Sequence, residues 1–148
     1  MTKNMNIVLI DDNKIELLIH QRVLEKLDES AKVKSFSNPI LAIRYLEMLS
    51  TWNLSSDIPQ YIFLDIEMPE MNGFEVLHTI EKIKILRKNK TKVFFLSSIG
   101  IPNFIRMAHD YEIRANYIPK PLTKEKLIEQ LIQTQTKSKI LQTLINIS

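Results

Sequence analysis

Cysteine is absent from the 148 residues, and glycine occurs only twice. The lack of cysteine excludes disulfides, thiolate metal sites and thiol chemistry. The three histidines, His20, His78 and His109, do not have the spacing of metal ligands, so a structural zinc site is not expected. We interpret all three as surface or boundary residues without an assigned role. With so few glycines, tight turns must depend on Asn, Asp and Pro.

Long apolar runs and strong charge of one sign are also missing. No segment approaches the length of a membrane span, and the first apolar run, Ile7–Ile10, is too short for a signal peptide. We therefore expect a cytoplasmic protein without a membrane partner. The net charge is +3, from 20 Lys and Arg against 17 Asp and Glu, and the basic residues are scattered without interleaved aromatics. No nucleic-acid partner is expected from this pattern.

Short apolar runs predict five β-strands. They are Ile7–Ile10, Val33–Phe36, Tyr61–Leu64, Val93–Leu96 and Tyr117–Ile118. The first, third and fourth are almost entirely apolar, which is typical of central strands in a parallel sheet. The other two are weaker and predict edge strands, and Pro119 supports this for the last one.

Amphipathic segments between these runs predict five helices. Asn38 and Pro39 are typical of an N-cap followed by the first helical residue, and either Asp12 or Asn13 could cap the first helix. The predicted helical segments are Ile15–Val23, Ile40–Leu49, Phe74–Leu86, a segment from Pro102 or Asn103 to about Tyr111, and one that is capped by Thr123. Strands that alternate with helices predict a doubly wound α/β fold of one domain.

Polar side chains stand at the carboxyl ends of four predicted strands. Asp11 and Asp12 follow the first strand, and Asp65 ends the third. Ser97 ends the fourth strand, and Lys120 follows the fifth. Each residue alone has a simpler interpretation as a cap, a turn residue, a strand-end hydroxyl or a surface lysine. Because the carboxyl ends of parallel strands meet at one edge of the sheet, their coincidence favours a functional site.

The chemistry of such a site follows from its charges. Three clustered carboxylates repel one another and would raise their own pKa values. Mg²⁺ relieves this repulsion, because it favours carboxylate oxygens and water as ligands. Asp65 could then accept a phosphoryl group as an acyl phosphate. Lys120 and the hydroxyl of Ser97 could bind the phosphoryl oxygens.

The segments that carry these residues resemble the response-regulator receiver family. They are VLIDDN at 8–13, FLDIEMPEMNG at 63–73, FFLSS at 94–98 and YIPKP at 117–121. The resemblance implies a flavodoxin-like doubly wound sheet of five parallel strands in the order 2-1-3-4-5, with five helices. It also implies a single receiver domain over 1–148, with a core at about 6–134 and a C-terminal helical extension at about 135–148.

By position, the resemblance implies that Asp65 is the phosphoacceptor and that Mg²⁺ is the cofactor. Asp12 would bind the metal directly and Asp11 mainly through water. Asp65 itself and the backbone carbonyl of Glu67 would complete the protein ligands. The Glu67 side chain stands at a variable position of the family, where we expect it to affect the lifetime of the phosphoryl state.

The resemblance also implies a switch. Ser97 would be the switch hydroxyl, Tyr117 the switch aromatic that turns inward, and Lys120 the lysine that binds phosphate. The Lys120-Pro121 bond is expected to be cis. Gly73 is interpreted as a position that needs positive φ before the third helix.

The implied function is that of a two-component response regulator. A sensor histidine kinase or a histidine phosphotransfer protein would donate the phosphoryl group. With no room for an output domain in 148 residues, the signal would pass to an unknown downstream protein through about 103–132. The domain would assist its own phosphorylation and dephosphorylation and would otherwise not be an enzyme.

Two other classes of function compete with this one. Asp65-Ile66-Glu67 faintly resembles the Asp-x-Asp motif of haloacid-dehalogenase-type phosphatases, so a small phosphatase-like enzyme with an aspartate nucleophile is the alternative. That motif, however, stands on the third predicted strand and no substrate cap is apparent. A flavin carrier is disfavoured, because Asp11-Asp12-Asn13 stands where a phosphate-binding loop would be needed.

The end of the chain is more apolar than one receiver requires. The residues concerned are Ile140, Leu141, Leu144, Ile145 and Ile147. This tail either folds back or frays, or it packs on a partner or a second copy, so a homodimer is left open.

Overall fold

The sheet sets the positions of all the residues discussed below. In the computed structural model, which describes residues 5–112, 115–133 and 146, five parallel strands have the order β2-β1-β3-β4-β5. The strands are β1 Asn6–Ile10, β2 Lys32–Phe36, β3 Tyr61–Asp65, β4 Lys92–Ser97 and β5 Asn116–Pro119. The predicted fold and strand order are confirmed, with β2 and β5 at the edges.

Six helices are found in the described part of the chain, where five were predicted. They are α1 Lys14–Leu27, α2 Pro39–Thr51, α3 Gly73–Ile80, α4 Lys84–Lys88, α5 Ile101–Asp110 and α6, which covers 124–133; a single 3₁₀ turn, Ser55–Asp57, precedes β3. Asn13, and not Asp12, caps α1 by accepting from the backbone N–H groups of Ile15 and Glu16. Asn38 caps α2 as predicted.

The prediction of one helix from Phe74 to Leu86 is wrong, because the helix is interrupted between the end of α3 and the start of α4. Ile83 has extended backbone angles (φ −78°, ψ 109°) and still buries its side chain, with 8% exposed. The break keeps Ile83, Ile85 and Leu86 in the same apolar core as Ile80. Ile83 reaches this core from an extended residue, and Ile85 and Leu86 reach it from the short helix that follows.

Both faces of the sheet are buried, which explains the almost continuous apolar runs. Along β1, Val8 and Ile10 belong to the core that includes side chains of α2, α3 and α5. Ile7 and Leu9 belong to the opposite core, with side chains of α1 and α6. Each buried Leu or Ile contributes about 1.5–3 kcal/mol relative to an exposed side chain. The strand alternation thus holds a helical layer on each side.

One histidine was assigned wrongly. His20 is buried, with 3% exposed, whereas His78 and His109 are exposed as expected. His20 lies between Leu17 and Leu24 on the buried stripe of α1. Burial lowers the pKa of His20, and the charge of Lys120 lowers it further.

The predicted C-terminal extension, apart from residue 146, lies outside the described residues. The interpretation of its apolar side chains therefore stays a prediction. Over the part of the chain that the structure describes, no helix has both the length and the apolar character that a membrane span requires.

Candidate functional site

Three carboxylates meet at the carboxyl ends of β1 and β3. One side-chain oxygen from each of Asp11, Asp12 and Asp65 lies within 4.8 Å of the others. The two strands are neighbours, and Ile10 pairs with Leu64, so the residues that follow are brought side by side. Asp11 and Asp65 are buried, with 4% and 5% exposed, whereas Asp12 is exposed.

Hydrogen bonds fix the Asp11 carboxylate. Its Oδ1 accepts from the backbone N–H of Asn13 at 2.9 Å, and its Oδ2 accepts from Nζ of Lys120 at 3.0 Å. Its backbone N–H donates to the carbonyl of Phe36 at 3.1 Å, which ties the end of β1 to the end of β2. Asp11 is therefore held by both main chain and side chain.

Lys120 reaches this cluster from the loop after β5. Its Nζ lies 3.1 Å from Oδ1 of Asp65 and also donates to the carboxylate of Glu16. Its backbone N–H donates to the carbonyl of Ser97 at 3.0 Å, and the Lys120-Pro121 bond is cis as predicted. An ammonium group has three N–H donors, and here three carboxylates surround it.

Burial and the neighbouring charges together explain the pKa shifts of the cluster. Burial raises the pKa of Asp11 to about 6, and the charge of Asp65 adds to the rise, while bonds from Asn13 and Lys120 oppose it. Burial also raises the pKa of Asp65 against the opposing effect of Lys120. For Lys120, burial acts to lower the pKa, but the bonds to Glu16 and Asp11 outweigh burial and raise it. Lys120 therefore remains a cation at neutral pH.

Glu16 is the member of this network that the sequence reasoning missed. Its bond to Lys120 lowers the pKa of its carboxyl against the effect of partial burial. Glu16 stands in the first turn of α1, four residues after Asp12. A helix that directly follows a strand begins at the edge of the sheet where the site lies. The charge of Glu16 in the first turn of α1 could therefore have indicated that it belongs to the site.

Ser97 and Tyr117 lie together on the neighbouring strands. Ser97 is buried, with 1% exposed, and its Oγ accepts from the backbone N–H of Ile99 at 3.2 Å. The hydroxyl of Tyr117 donates to the carbonyl of Ser97 at 3.1 Å. The ring of Tyr117 stacks on Phe104 of α5 with centroids 4.6 Å apart. The two residues thus connect the end of β4 to α5.

The loop after β3 passes close to Asp65. The side chain of Glu67 is exposed, and Met68 is buried in the core. The expectation of positive φ at Gly73 is wrong, since among the glycines only Gly100 has it, at 70°. A Cβ on Gly73 would lie 2.5 Å from the backbone carbonyl oxygen of Asp65. Glycine is needed there for the close approach of α3 to the Asp65 backbone.

The structure thus brings Asp11, Asp12, Asp65 and Lys120 together, with Ser97 at the next strand end. Three carboxylate oxygens this close fit a hard divalent cation such as Mg²⁺, which prefers oxygen ligands. A buried carboxylate beside an ammonium group is also suited to nucleophilic attack on phosphorus, because the cation can stabilise the added negative charge.

A parallel sheet of order 2-1-3-4-5, with its polar site at the carboxyl ends of the strands, defines a flavodoxin-like α/β protein. The family model described as response regulator receiver domain matches residues 7–132, and the chain belongs to that family. It is therefore a receiver domain of the kind found in two-component signalling.

Relatives and solved structures agree with this assignment. The chain is 26% identical over 121 residues to the probable methanogenesis regulatory protein FilR2 of Methanothrix harundinacea, covering 82% of this chain and 75% of that one. It is 25% identical to the sensory/regulatory protein RpfC of Xanthomonas campestris, covering 95% of this chain but only 18% of the relative.

Among solved structures, a two-component response regulator from Cytophaga hutchinsonii has a TM-score of 0.73 and 26% identity, with 91% of this chain and 99% of that one covered. The receiver domain of the histidine kinase CKI1 from Arabidopsis thaliana, complexed with Mg²⁺ and BeF₃⁻, shares the fold with a TM-score of 0.69 and 21% identity, covering 88% of this chain and 90% of that one.

Proposed function

We propose that Asp65 accepts a phosphoryl group from the phosphohistidine of a sensor histidine kinase or a histidine phosphotransfer protein. The observation that carries this proposal is the buried Asp65 carboxylate, 3.1 Å from Nζ of Lys120 and beside Asp11 and Asp12. An oxygen of Asp65 forms the new bond to phosphorus, and the bond from phosphorus to the donor imidazole nitrogen breaks. The electron pair of that bond leaves with the imidazole.

Asp11, Asp12 and Asp65 would hold Mg²⁺, together with the backbone carbonyl of Glu67. When bound, the ion would neutralise the carboxylates and the oxygens of the incoming phosphoryl group. The structure of the CKI1 receiver, which has the same fold, contains Mg²⁺ and BeF₃⁻. The donor set of this chain is of the kind that such an ion requires.

Lys120 and Ser97 would bind the phosphoryl oxygens. Lys120 needs little movement, because its Nζ already lies against Asp65. The Ser97 hydroxyl would turn to donate to a phosphoryl oxygen, in place of accepting from the N–H of Ile99. The contact of Tyr117 with the Ser97 carbonyl couples that movement to the ring of Tyr117. Phosphorylation would thus shift the population between two packings of β5 and α5.

The donor would dock on α1. Its first turns expose Ile15, Leu18 and Ile19, with 71%, 52% and 50% of each side chain accessible. They lie on the helix that begins just after Asp11 and Asp12, so a histidine-bearing partner that covers them would bring its phosphohistidine close to Asp65. Histidine kinases of Dictyostelium discoideum and Oryza sativa are among the relatives of this chain.

The output would be a protein contact through about 103–132, with a downstream partner, in the cytoplasm. Ile105 of α5, with 60% exposed, lies in this region beside the ring stack of Phe104 and Tyr117. The domain would promote its own phosphorylation and dephosphorylation without turning over a separate substrate. The exposed Glu67 would affect how long the phosphoryl group persists.

Intact mass after incubation with Mg²⁺ and a small phosphodonor such as acetyl phosphate tests the proposal. We expect one added phosphate on the wild type and on Asp57→Asn, a control at an exposed aspartate. We expect none on Asp65→Asn. A phosphate that persists in Asp65→Asn would refute the assignment, and repeated turnover of a free phosphate ester would favour a phosphatase instead.

A further inference from the structure

A carboxylate outside the proposed metal site also holds Lys120. Glu16 of α1 accepts a hydrogen bond from Nζ of Lys120 across 104 residues of sequence. The side chain of Glu16 is 36% exposed, whereas the other two partners, Asp11 and Asp65, are only 5% and 6% exposed. Glu16 therefore approaches the ammonium group from the solvent side of the cluster.

The partners of Lys120 differ in what the proposed reaction asks of them. Asp65 gives an oxygen to phosphorus, and Asp11 belongs to the carboxylate group that can hold a cation. Glu16 is not one of the three carboxylates of that group. It is thus the partner of Lys120 that neither the metal nor the phosphoryl group would engage.

We propose that Glu16 is a positioning residue, which keeps the Lys120 ammonium at the edge of the acidic cluster before and after phosphorylation. This inference rests on the proposed roles of Asp65 and Lys120. Without Glu16, the ammonium group would have only Asp11 and Asp65 as carboxylate partners and would draw closer to them. It would then compete more strongly with Mg²⁺ for the carboxylate oxygens. It would also have fewer N–H groups directed toward the phosphoryl oxygens.

Mg²⁺ affinity of the unphosphorylated protein tests this directly, measured by amide chemical shifts during titration. We expect Glu16→Gln to weaken Mg²⁺ binding about fivefold, since one partly exposed ion pair is lost. Glu16→Asp should weaken it similarly, because the shorter side chain keeps the charge but withdraws it from Lys120. Glu25→Gln, which removes an exposed carboxylate from the same helix, should bind Mg²⁺ like the wild type.

A double-mutant cycle with Lys120→Met separates positioning from simple charge. If Glu16 acts through Lys120, Glu16→Gln will have little further effect on Mg²⁺ affinity once Lys120→Met is present. An undiminished effect in that background, or wild-type affinity in Glu16→Asp, would mean that only through-space charge is at work and would overturn the inference.

The rate of phosphorylation by acetyl phosphate at saturating Mg²⁺ gives a second readout. We expect Glu16→Gln to be slower by about fivefold, with Glu25→Gln unchanged. If the wild type takes up no phosphate on Asp65, the proposed function fails while the Mg²⁺ cycle still tests Glu16. If the wild type is phosphorylated and the Glu16 variants match it in both readouts, only the inference about Glu16 fails. A wild type that binds no Mg²⁺ would overturn both.

Discussion

Two residues one turn apart on α1 respond oppositely to their surroundings, since Glu16 is held as a carboxylate and His20 is kept neutral. Glu16 meets Lys120 at the site edge, while His20, one turn further on, is buried among apolar side chains. A buried histidine favours its neutral form, because burial penalises the charged imidazolium. His20 therefore makes folding sensitive to acid.

We expect His20 to lower stability as the pH falls below about 6.5, the ordinary pKa of histidine. The folded-state pKa of His20 lies below this value, so between the two the unfolded chain binds more protons than the folded one. The free energy of unfolding therefore rises with pH across this window, and acidification removes the contribution of neutral His20. Urea unfolding at several pH values should show a smaller acid loss in His20→Gln than in the wild type. His78→Gln, at an exposed position, should keep the wild-type dependence; equal slopes in all three would contradict the prediction.

Gly73 has no room for a side chain. An added methyl group would meet the carbonyl oxygen of Asp65 at 2.5 Å, so either α3 or the Asp65 backbone must move. Gly73→Ala should lower the free energy of unfolding by about 3 kcal/mol, as overpacking does. Gly100→Ala should cost less, about 1–2 kcal/mol, since the added methyl group meets open space and strains only the backbone, at φ 70° and ψ 152°. Urea unfolding that ranked the two variants the other way would show that the close approach is not needed.

At the scale of elements, β5 and α5 are joined by Tyr117. Its hydroxyl donates a hydrogen bond to β4 and its ring stacks on Phe104 of α5, so this side chain of β5 links three elements. Tyr117→Phe keeps the ring and removes the bond to the Ser97 carbonyl. We expect it to lower the free energy of unfolding by about 1 kcal/mol, the usual value of one hydrogen bond.

Thermal or urea unfolding of the unphosphorylated protein measures this loss. Tyr111→Phe is a suitable control, because its hydroxyl accepts a solvent-exposed hydrogen bond from the side-chain amide of Asn72 at 3.0 Å. We expect that change to matter less, since water can replace an exposed bond. A Tyr117→Phe variant as stable as the wild type would argue against a coupling of Tyr117 to β4.

The elements also show what the sequence could and could not predict. The strands were predictable, because burial on both faces leaves runs such as Ile7–Ile10 wholly apolar. The break before α4 was not, since Ile80, Ile83 and Leu86 also have helical spacing. Asn38 and Thr123 were predictable as caps because their role is local: Thr123 accepts from the N–H of Lys126 at 3.2 Å.

At the scale of the whole molecule, the parallel sheet accounts for the site. Asp11, Asp65, Ser97 and Lys120 are far apart in sequence, yet strand order alone predicted their meeting. The contact of Glu16 with Lys120 and the burial of His20 depend on the rotation of α1 about its axis, which the strand pattern does not determine. The need for Gly73 depends on a backbone approach in three dimensions, so its residue type was notable but the reason for it was predicted wrongly.

The acidic edge also predicts a response of the whole fold to metal. Mg²⁺ that binds only the folded state should raise the free energy of unfolding by about 1.4 kcal/mol at tenfold its dissociation constant. Asp12→Asn removes an exposed member of the cluster and should reduce this gain without a large loss of stability in EDTA. Urea unfolding with and without Mg²⁺ measures both. An equal gain in Asp12→Asn would place the metal elsewhere.

The proposed function depends most on Asp65 as the residue that forms the acyl phosphate. Borohydride reduction after phosphorylation converts an aspartyl phosphate to homoserine, and peptide mass spectrometry then locates it. We expect homoserine at position 65 in the presence of Mg²⁺ and a phosphodonor, and unchanged aspartate without the donor. Homoserine at Asp11 or Asp12, or an unchanged Asp65 in a protein that has gained phosphate, would contradict it.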